Sequence, residues 1–261
     1  MAKYCYLDID INDARASHKR ACEFVDQNSI KYGLSSNVLR ELGGREKLSV
    51  PDLYNSDFSW NTKGGCLVEP QPVTRMIFQM FTDDSPLATE NFIALCTGSK
   101  GISKASNVKL QYEGCKMHRY VPNFMIQGGD FIFNNGTGGE SIWTKKFKDD
   151  VKGLKLKHNK RGILSMGNSG KNSNSSQFFV TLGASAPQCD KKHVVFGEMK
   201  HGFDTLDYIE EILQQHGSNS NEEPGVPLVI TSCGMWNPDS QQLINGYWTA
   251  DDAFSALPVK K

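Results

Sequence analysis

Near the start of the chain Cys5, Leu7, Ile9 and Ile11 alternate with Tyr6, Asp8 and Asp10. A period of two predicts a half-buried β-strand. The period then changes. Ala14, His18, Ala21 and Val25 follow helical spacing, with Asn12 or Asp13 as the cap. A short helix is predicted from Ser36 to Leu42, ended by Gly43-Gly44, and the stretch holding Pro51, Gly64, Gly65, Pro70 and Pro72 reads as loop. Met76, Phe78 and Met80 restore strand spacing. Next comes a helix with Ser85 as cap, Pro86 in its first turn, a buried stripe of Ala88, Phe92 and Leu95, and Gly98 at its end. From Gln111 to Gly197 short alternating runs are separated by Gly and Asn clusters, the pattern of an antiparallel barrel or sandwich. A last helix is predicted at about Phe203 to His216, with Phe203, Leu206, Ile209 and Leu213 inward and Gly217 as terminator. A strand from Leu228 to Ser232 completes the set. Many strands and two helices predict an all-β-dominated fold, a closed antiparallel barrel capped at its ends, with no internal repeat.

Composition constrains this picture little. A chain of 261 residues, 38% hydrophobic and 10% aromatic, can pack a core without a second domain. A formal net charge of +0 gives no bulk attraction to nucleic acid or to an anionic membrane surface. The lysine-dense stretch from Lys145 to Arg161 reads as a solvated face, so no nucleic-acid partner is expected. No stretch reaches membrane-spanning length, and the opening MAKYCYLDIDI does not read as a secretory leader. The seven cysteines are scattered without a C-x-x-C pair and read as free, mostly buried thiols. Cytosol or nucleus is the expected compartment.

Candidate chemistry begins with near misses. Gly170-Lys171-Asn172 lacks the spacing and the Ser/Thr of a phosphate loop, and Ser165 lacks the first glycine of a nucleophile elbow. Cys115 and His118 offer half a zinc site with no second half. Neither a cofactor nor a metal is expected. A non-covalent constellation is better supported. The run His118 to Phe131 is apolar yet contains Arg119 and Gln127, both costly to bury alone. Ser165-Met166-Gly167-Asn168-Ser169-Gly170 and Ser176-Gln177-Phe178-Phe179 repeat the mixture of amide and aromatic groups. Together with Ala88-Thr89-Glu90-Asn91-Phe92, Asn135-Gly136-Thr137-Gly138-Gly139, Gly162-Ile163-Leu164-Ser165-Met166 and Lys192-His193-Val194-Val195-Phe196-Gly197, these blocks closely resemble the cyclophilin family, over about residues 3–12 and 73–235.

That resemblance implies an eight-stranded antiparallel barrel capped by two helices, and isomerisation of X-Pro bonds in proteins, a folding-assistance activity. It carries the catalytic role to Arg119 and Gln127. Substrate binding maps onto Phe124, Met125, Gly167, Asn168, Gln177, Phe179 and His193. The structural alternative for Arg119 is an ion pair with a carboxylate such as Asp130. The implied partners are proline-containing peptides and proteins. Cyclosporin is a further implied ligand, weakened because Gln188 stands where many members have Trp, and Cys189 where they have Leu. An alternative is a proline-binding interaction module with weak or no catalysis. The resemblance leaves residues 12–72 as an insertion between the first two strands and 236–261 as a C-terminal extension. Phe24, Tyr54, Phe58 and Trp60 in the first, and Trp236, Tyr247, Trp248 and Phe254 in the second, argue against disordered linkers. Both are expected to fold back onto the barrel and leave the proline pocket open, the tail with a short helix capped by Thr249.

Overall fold

The alternation at the N-terminus becomes strand β1 (Lys3–Ile11), and the change of period becomes helix α1 (Ala14–Tyr32), entered through left-handed residues Asn12 and Asp13. A computed structural model of the chain describes residues 2–70, 74–219 and 222–237, with the backbone of 243–244 and 247–248. After α1 come helix α2 (Gly44–Ser56), strand β2 (Arg75–Met80), helix α3 (Pro86–Thr97), and strands β3 (Met117–Val121), β4 (Met125–Gly128), β5 (Ile163–Met166), β6 (Phe178–Thr181) and β7 (Val195–His201). Helix α4 (Phe203–His216) and strand β8 (Leu228–Trp236) follow, then a short antiparallel ladder of β9 (Leu243–Ile244) and β10 (Tyr247–Trp248). The tail helix expected at Thr249 lies outside the described residues. No helix among the described residues is long and apolar enough to cross a membrane.

The chain divides into two compact units: Met1–Ile11 with Thr74–Ser240, and Asn12–Val73 with Gln241–Lys261. The first is a strand-dominated unit built on one eight-stranded antiparallel sheet in the order β3-β4-β6-β5-β7-β2-β1-β8. The segment before β3 also reaches β8. Lys116 and Val229 form an antiparallel bridge, Gly114 N–H donates to the Ile230 carbonyl at 2.7 Å, and Ile230 N–H donates to that of Cys115 at 2.9 Å.

β1 is covered more fully than its alternation predicts. Asp8 and Asp10 are both buried, so this is no half-solvated strand. Asp8 stands directly opposite Arg75 and takes a bidentate pair of bonds, Nε to Oδ1 and Nη2 to Oδ2, both 2.6 Å. The Arg75 guanidinium lies over the rings of Tyr6 (4.1 Å) and Trp236 (5.8 Å). A fork of donors on a facing carboxylate, roofed by aromatics, explains how the pair tolerates burial.

α3 buries Ala88, Phe92 and Leu95 as expected, with Phe92 packed edge-on against Phe178 at 5.2 Å. Ser85, however, does not cap it. The Ser85 hydroxyl donates to the Val195 carbonyl at 2.6 Å, and the first-turn N–H groups of Ala88 and Leu87 donate to the Asp150 carboxylate at 2.9 and 3.3 Å. On α4, Leu206, Ile209 and Leu213 point inward, but Phe203 is 40% exposed, which corrects the expected stripe.

The second unit has a core of its own: Ala21, Phe24 and Val25 from α1 pack with Leu39, Leu42, Val50, Tyr54 and Trp60. The Phe24 ring meets Tyr54 at 5.3 Å and Trp60 at 5.6 Å, both edge-to-face, a favoured aromatic geometry. Two sequence expectations fail here. The helix predicted at Ser36–Leu42 is a single 3-10 turn, Leu39–Glu41, because Ser36 accepts from Val38 N–H and donates to Glu41, competing with helical bonding. The stretch read as loop around Pro51 is instead α2, and Gly43 begins that helix rather than ending the previous one. Glu46 accepts from the Gly43 N–H at 3.1 Å and from the backbone and hydroxyl of Ser35, which hold its pKa below the ordinary value. Pro51 costs a helical hydrogen bond, which the burial of Val50 and Tyr54 on either side of it offsets.

Trp60→Ala should destabilise this unit by about 3 kcal/mol, the scale of emptying an aromatic site in a packed core. Hydrogen exchange at the α1 amides would read it as lost protection, and unchanged exchange rates would show that the aromatic cluster is not what holds the helix.

Candidate functional site

Residues directly opposite in antiparallel strands project from the same face of a sheet. The register sets Arg119 of β3 opposite Gln127 of β4, Gln127 opposite Phe179 of β6, and Phe179 opposite Ser165 of β5. The alternate row, Tyr120, Ile126, Val180 and Leu164, joins the main core. Period-two alternation therefore separates a row of mixed chemistry from a row of plain packing. The β3–β4 connection turns at Asn123, which adopts a left-handed φ of 59°, and Phe124 N–H bonds back to the Val121 carbonyl at 3.1 Å. Asn tolerates this conformation, and it delivers Phe124 and Met125 to the site.

The polar half is a relay. Arg119 Nη1 reaches Gln127 Oε1 at 3.4 Å, and Gln127 Nε2 donates to Gln177 Oε1 at 2.8 Å. Gln177 Nε2 in turn donates to the carbonyls of Gly136 and Gly138, each at 2.8 Å. Asp130, the carboxylate considered as a partner for Arg119, is fully buried and engaged elsewhere. It accepts from the N–H groups of Ile132, Phe133, Asn135, Gly136 and Gly138. Burial opposes its ionisation, but those N–H groups prevail and hold its pKa below the ordinary value. The turn has no room for more than glycine at 138, where a Cβ would lie 2.7 Å from Asp130 Oδ1. Arg119 pairs instead with Glu222, Nε to Oε2 at 2.5 Å. Glu222 lies 103 residues away, and no spacing in the sequence linked the two.

The apolar half is a separate cluster of Met125, Phe179, Ala186 and Cys189, with Val121 and Phe124 packed against it. His193 stands edge-on to Phe179 at 5.4 Å, its Nδ1–H donated to the Met166 carbonyl at 2.9 Å. Beneath, the His158 ring stacks on Phe179 at 5.8 Å and 15°. His158 Nδ1–H is held by Asp190 Oδ1 at 3.0 Å, and Nε2 lies 2.9 Å from Ser165 Oγ. Sequence reasoning found neither His158 nor Asp190, since neither sits in a block of mixed amide and aromatic residues. The Gln188 segment is a 3-10 turn, Pro187–Cys189, which buries Cys189 and exposes Gln188. Asn168 is tied to the rim, Nδ2 donating to the Lys192 carbonyl at 2.9 Å, with Oδ1 accepting from Gly170 N–H at 3.1 Å. Gly167 donates its N–H to the Gln177 carbonyl at 2.8 Å, and a Cβ there would come within 3.2 Å of Gln177 Cβ. Among the described residues no group of His, Cys, Asp and Glu is placed to hold a metal ion. The Cys115 thiol instead donates to the Lys116 carbonyl at 3.6 Å.

Residues 70–235 match the family described as cyclophilin type peptidyl-prolyl cis-trans isomerase/CLD. The chain belongs to the cyclophilin family. It is 44% identical over 168 residues to the NK-tumor recognition protein of Mus musculus, and equally to that of Homo sapiens. The shared stretch is 64% of this chain but only 11% of each relative. β1 precedes the family match, and its pairing with β2 and β8 joins it to the cyclophilin sheet.

Ionisation beneath the Phe179 ring has a definite sign. Burial lowers the pKa of His158 below its ordinary value despite the adjacent Asp190 carboxylate. Burial also opposes ionisation of Asp190, but the His158 backbone and ring and the Lys157 ammonium outweigh it and bring its pKa to about 2. Both folded-state values lie below those of the unfolded chain, so both contributions are present at neutral pH and fade on acidification. The His158 contribution fades as pH falls below about 6.5, and that of Asp190 as pH falls from about 4 towards 2. Asp190→Asn should therefore unfold more easily at pH 7 and show a shallower loss of stability between about pH 4 and 2 than the native chain. Denaturant titrations across that range check it. An equal slope in both proteins would remove Asp190 from the acid response.

Proposed function

We propose that this cyclophilin isomerises X-Pro peptide bonds by binding the twisted amide more tightly than the planar one, and so assists folding of proline-containing proteins. Rotation about an X-Pro bond takes roughly tens to hundreds of seconds unaided because amide resonance resists it. No bond is broken, so neither nucleophile nor cofactor is needed. What is needed is a dry surface for the proline ring and a permanent cation near the prolyl amide. Phe179, Met125 and Ala186, with Phe124 and His193 at the sides, supply the surface. Arg119 supplies a charged fork of donors, while Gln127, Gln177, Asn168 and the backbone at Gly167 hold the peptide. The observation that carries this reading is that Arg119, Gln127 and Phe179 fall in one register row. We also take the sheet to close into a barrel, supported by the Lys116–Val229 bridge.

Each ~1.4 kcal/mol of preference for the twisted state gives about tenfold in rate. Arg119→Ala should lower turnover of a short X-Pro peptide by about 10²-fold or more, with the melting temperature unchanged. Exchange NMR measures it, and near-native turnover in the variant would refute the mechanism.

A second reading, a proline-binding interaction module with little catalysis, is favoured by the altered wall, where Gln188 is exposed on its turn. Cyclosporin should accordingly bind weakly, for want of the indole surface and N–H donor at this position. Calorimetry on the native chain and on Gln188→Trp decides it: the substitution should strengthen binding, and tight native binding would contradict the assignment.

A further inference from the structure

Among the described residues, the one charged group that touches Arg119 is Glu222, which lies within the family match but in none of the motif blocks. Glu222 lies on the segment between α4 and β8, and that segment is built to present it. Gly225 N–H bonds to the Gly217 carbonyl at 2.9 Å, and Ser218 bridges Pro224. Asn219 braces the turn: its N–H donates to the Glu223 carbonyl at 3.1 Å, and its carbonyl accepts from Glu222 N–H at 3.0 Å. Its side-chain Oδ1 accepts from Glu223 N–H at 3.0 Å. Gly225 permits the close return of the chain, since a Cβ there would lie 2.4 Å from the His216 carbonyl oxygen. Glu222 itself adopts a left-handed φ of 61°, and its carbonyl accepts the N–H of Tyr120 at 2.7 Å. Its backbone is thus fastened to β3 at the residue beside Arg119.

Surface ion pairs usually contribute little, because two long side chains must be held in one geometry. Here Glu222 is anchored by its main chain and Arg119 by its strand. The guanidinium is gripped at Nε by Glu222 at 2.5 Å and touched at Nη1 by Gln127 at 3.4 Å. Its remaining N–H groups have no partner among the described residues. A planar fork held along one edge presents its other donors in a fixed direction. The Glu222 carboxylate also opposes the cation's field. With the two side chains 41% and 45% exposed, solvent screens that effect, while the geometric constraint is not screened.

We propose that Glu222 is a positioning residue, which holds the Arg119 guanidinium by its Nε edge so that the opposite donors face the prolyl amide. This rests on the role given to Arg119 under Proposed function. Misplacing a reacting group by about 1 Å can cost about 10²-fold, so Glu222→Ala should lower kcat by about tenfold with KM changed less than about twofold. Glu222→Gln, which keeps an acceptor oxygen without the charge, should recover most of that loss. Independently of turnover, the Arg119 Nε–H resonance in a nitrogen-15 spectrum should be protected from solvent exchange in the native chain, and become fast-exchanging in Glu222→Ala at an unchanged melting temperature. The role of Glu222 is overturned if Glu222→Ala turns over within twofold of the native chain or faster, if Gln restores nothing, or if the resonance is unprotected in the native chain. An impaired Arg119→Ala beside an unimpaired Glu222→Ala overturns this inference alone, whereas an inert Arg119→Ala overturns both.

Discussion

The strict alternation of faces across β3, β4, β6 and β5 is the constraint on which the site depends. One row, Tyr120–Ile126–Val180–Leu164, is committed to the main core, so its partner row, Arg119–Gln127–Phe179–Ser165, takes the opposite face, where Phe179 and Ser165 are covered and Arg119 is half exposed. A shift of one residue in any of these pairings would exchange the rows, burying a guanidinium and exposing apolar side chains. The energy of the core therefore protects the register of the site, although the core residues touch none of the proposed chemistry.

Around this row, three buried or half-buried carboxylates organise irregular backbone, and among the described residues only Asp190 of the three also pairs with a cation, Lys157. Asp130 gathers the N–H groups of the turn that offers its carbonyls to Gln177. Asp150 takes the free N–H groups at the start of α3. Asp190 fixes the His158 ring on which Phe179 lies. A carboxylate can accept several bonds at once, which suits it to hold irregular chain that has no ladder of its own. Two groups of the proposed substrate surface rest on such supports, Gln177 through the Asp130 turn and Phe179 through His158 and Asp190.

The supporting layer is where sequence reading ran out. Strand spacing located β1 and β2, and the mixture of amide and aromatic groups located Arg119, Gln127, Gln177 and Phe179. Those signals are local: a period of two, or an expensive polar residue within an apolar run. Glu222 and Asp190 reach their partners through chain return and carry no local mark. Asp150 displaced Ser85 for the same reason, since a cap can come from any distance in the chain. In the insertion the failure was one of weighting. Pro51 and Gly43 were read by their usual preferences, whereas Tyr54 and Trp60 had enough surface to bury that a helix formed through the proline.

The place of β1 in the sheet has a consequence for how the chain is made. Its neighbours are β2, reached only after the whole insertion, and β8, whose Ser232 bonds Tyr6 across 226 residues. At a synthesis rate of about 5–20 residues per second, β1 waits roughly 10–45 seconds for its second edge to be covered. During that interval a strand carrying Leu7, Ile9 and Ile11 stands with open hydrogen-bonding groups, the state in which strands pair with the wrong chain. A strand made before both of its partners is thus among the last to be secured, and its order in synthesis is the reverse of its order in assembly.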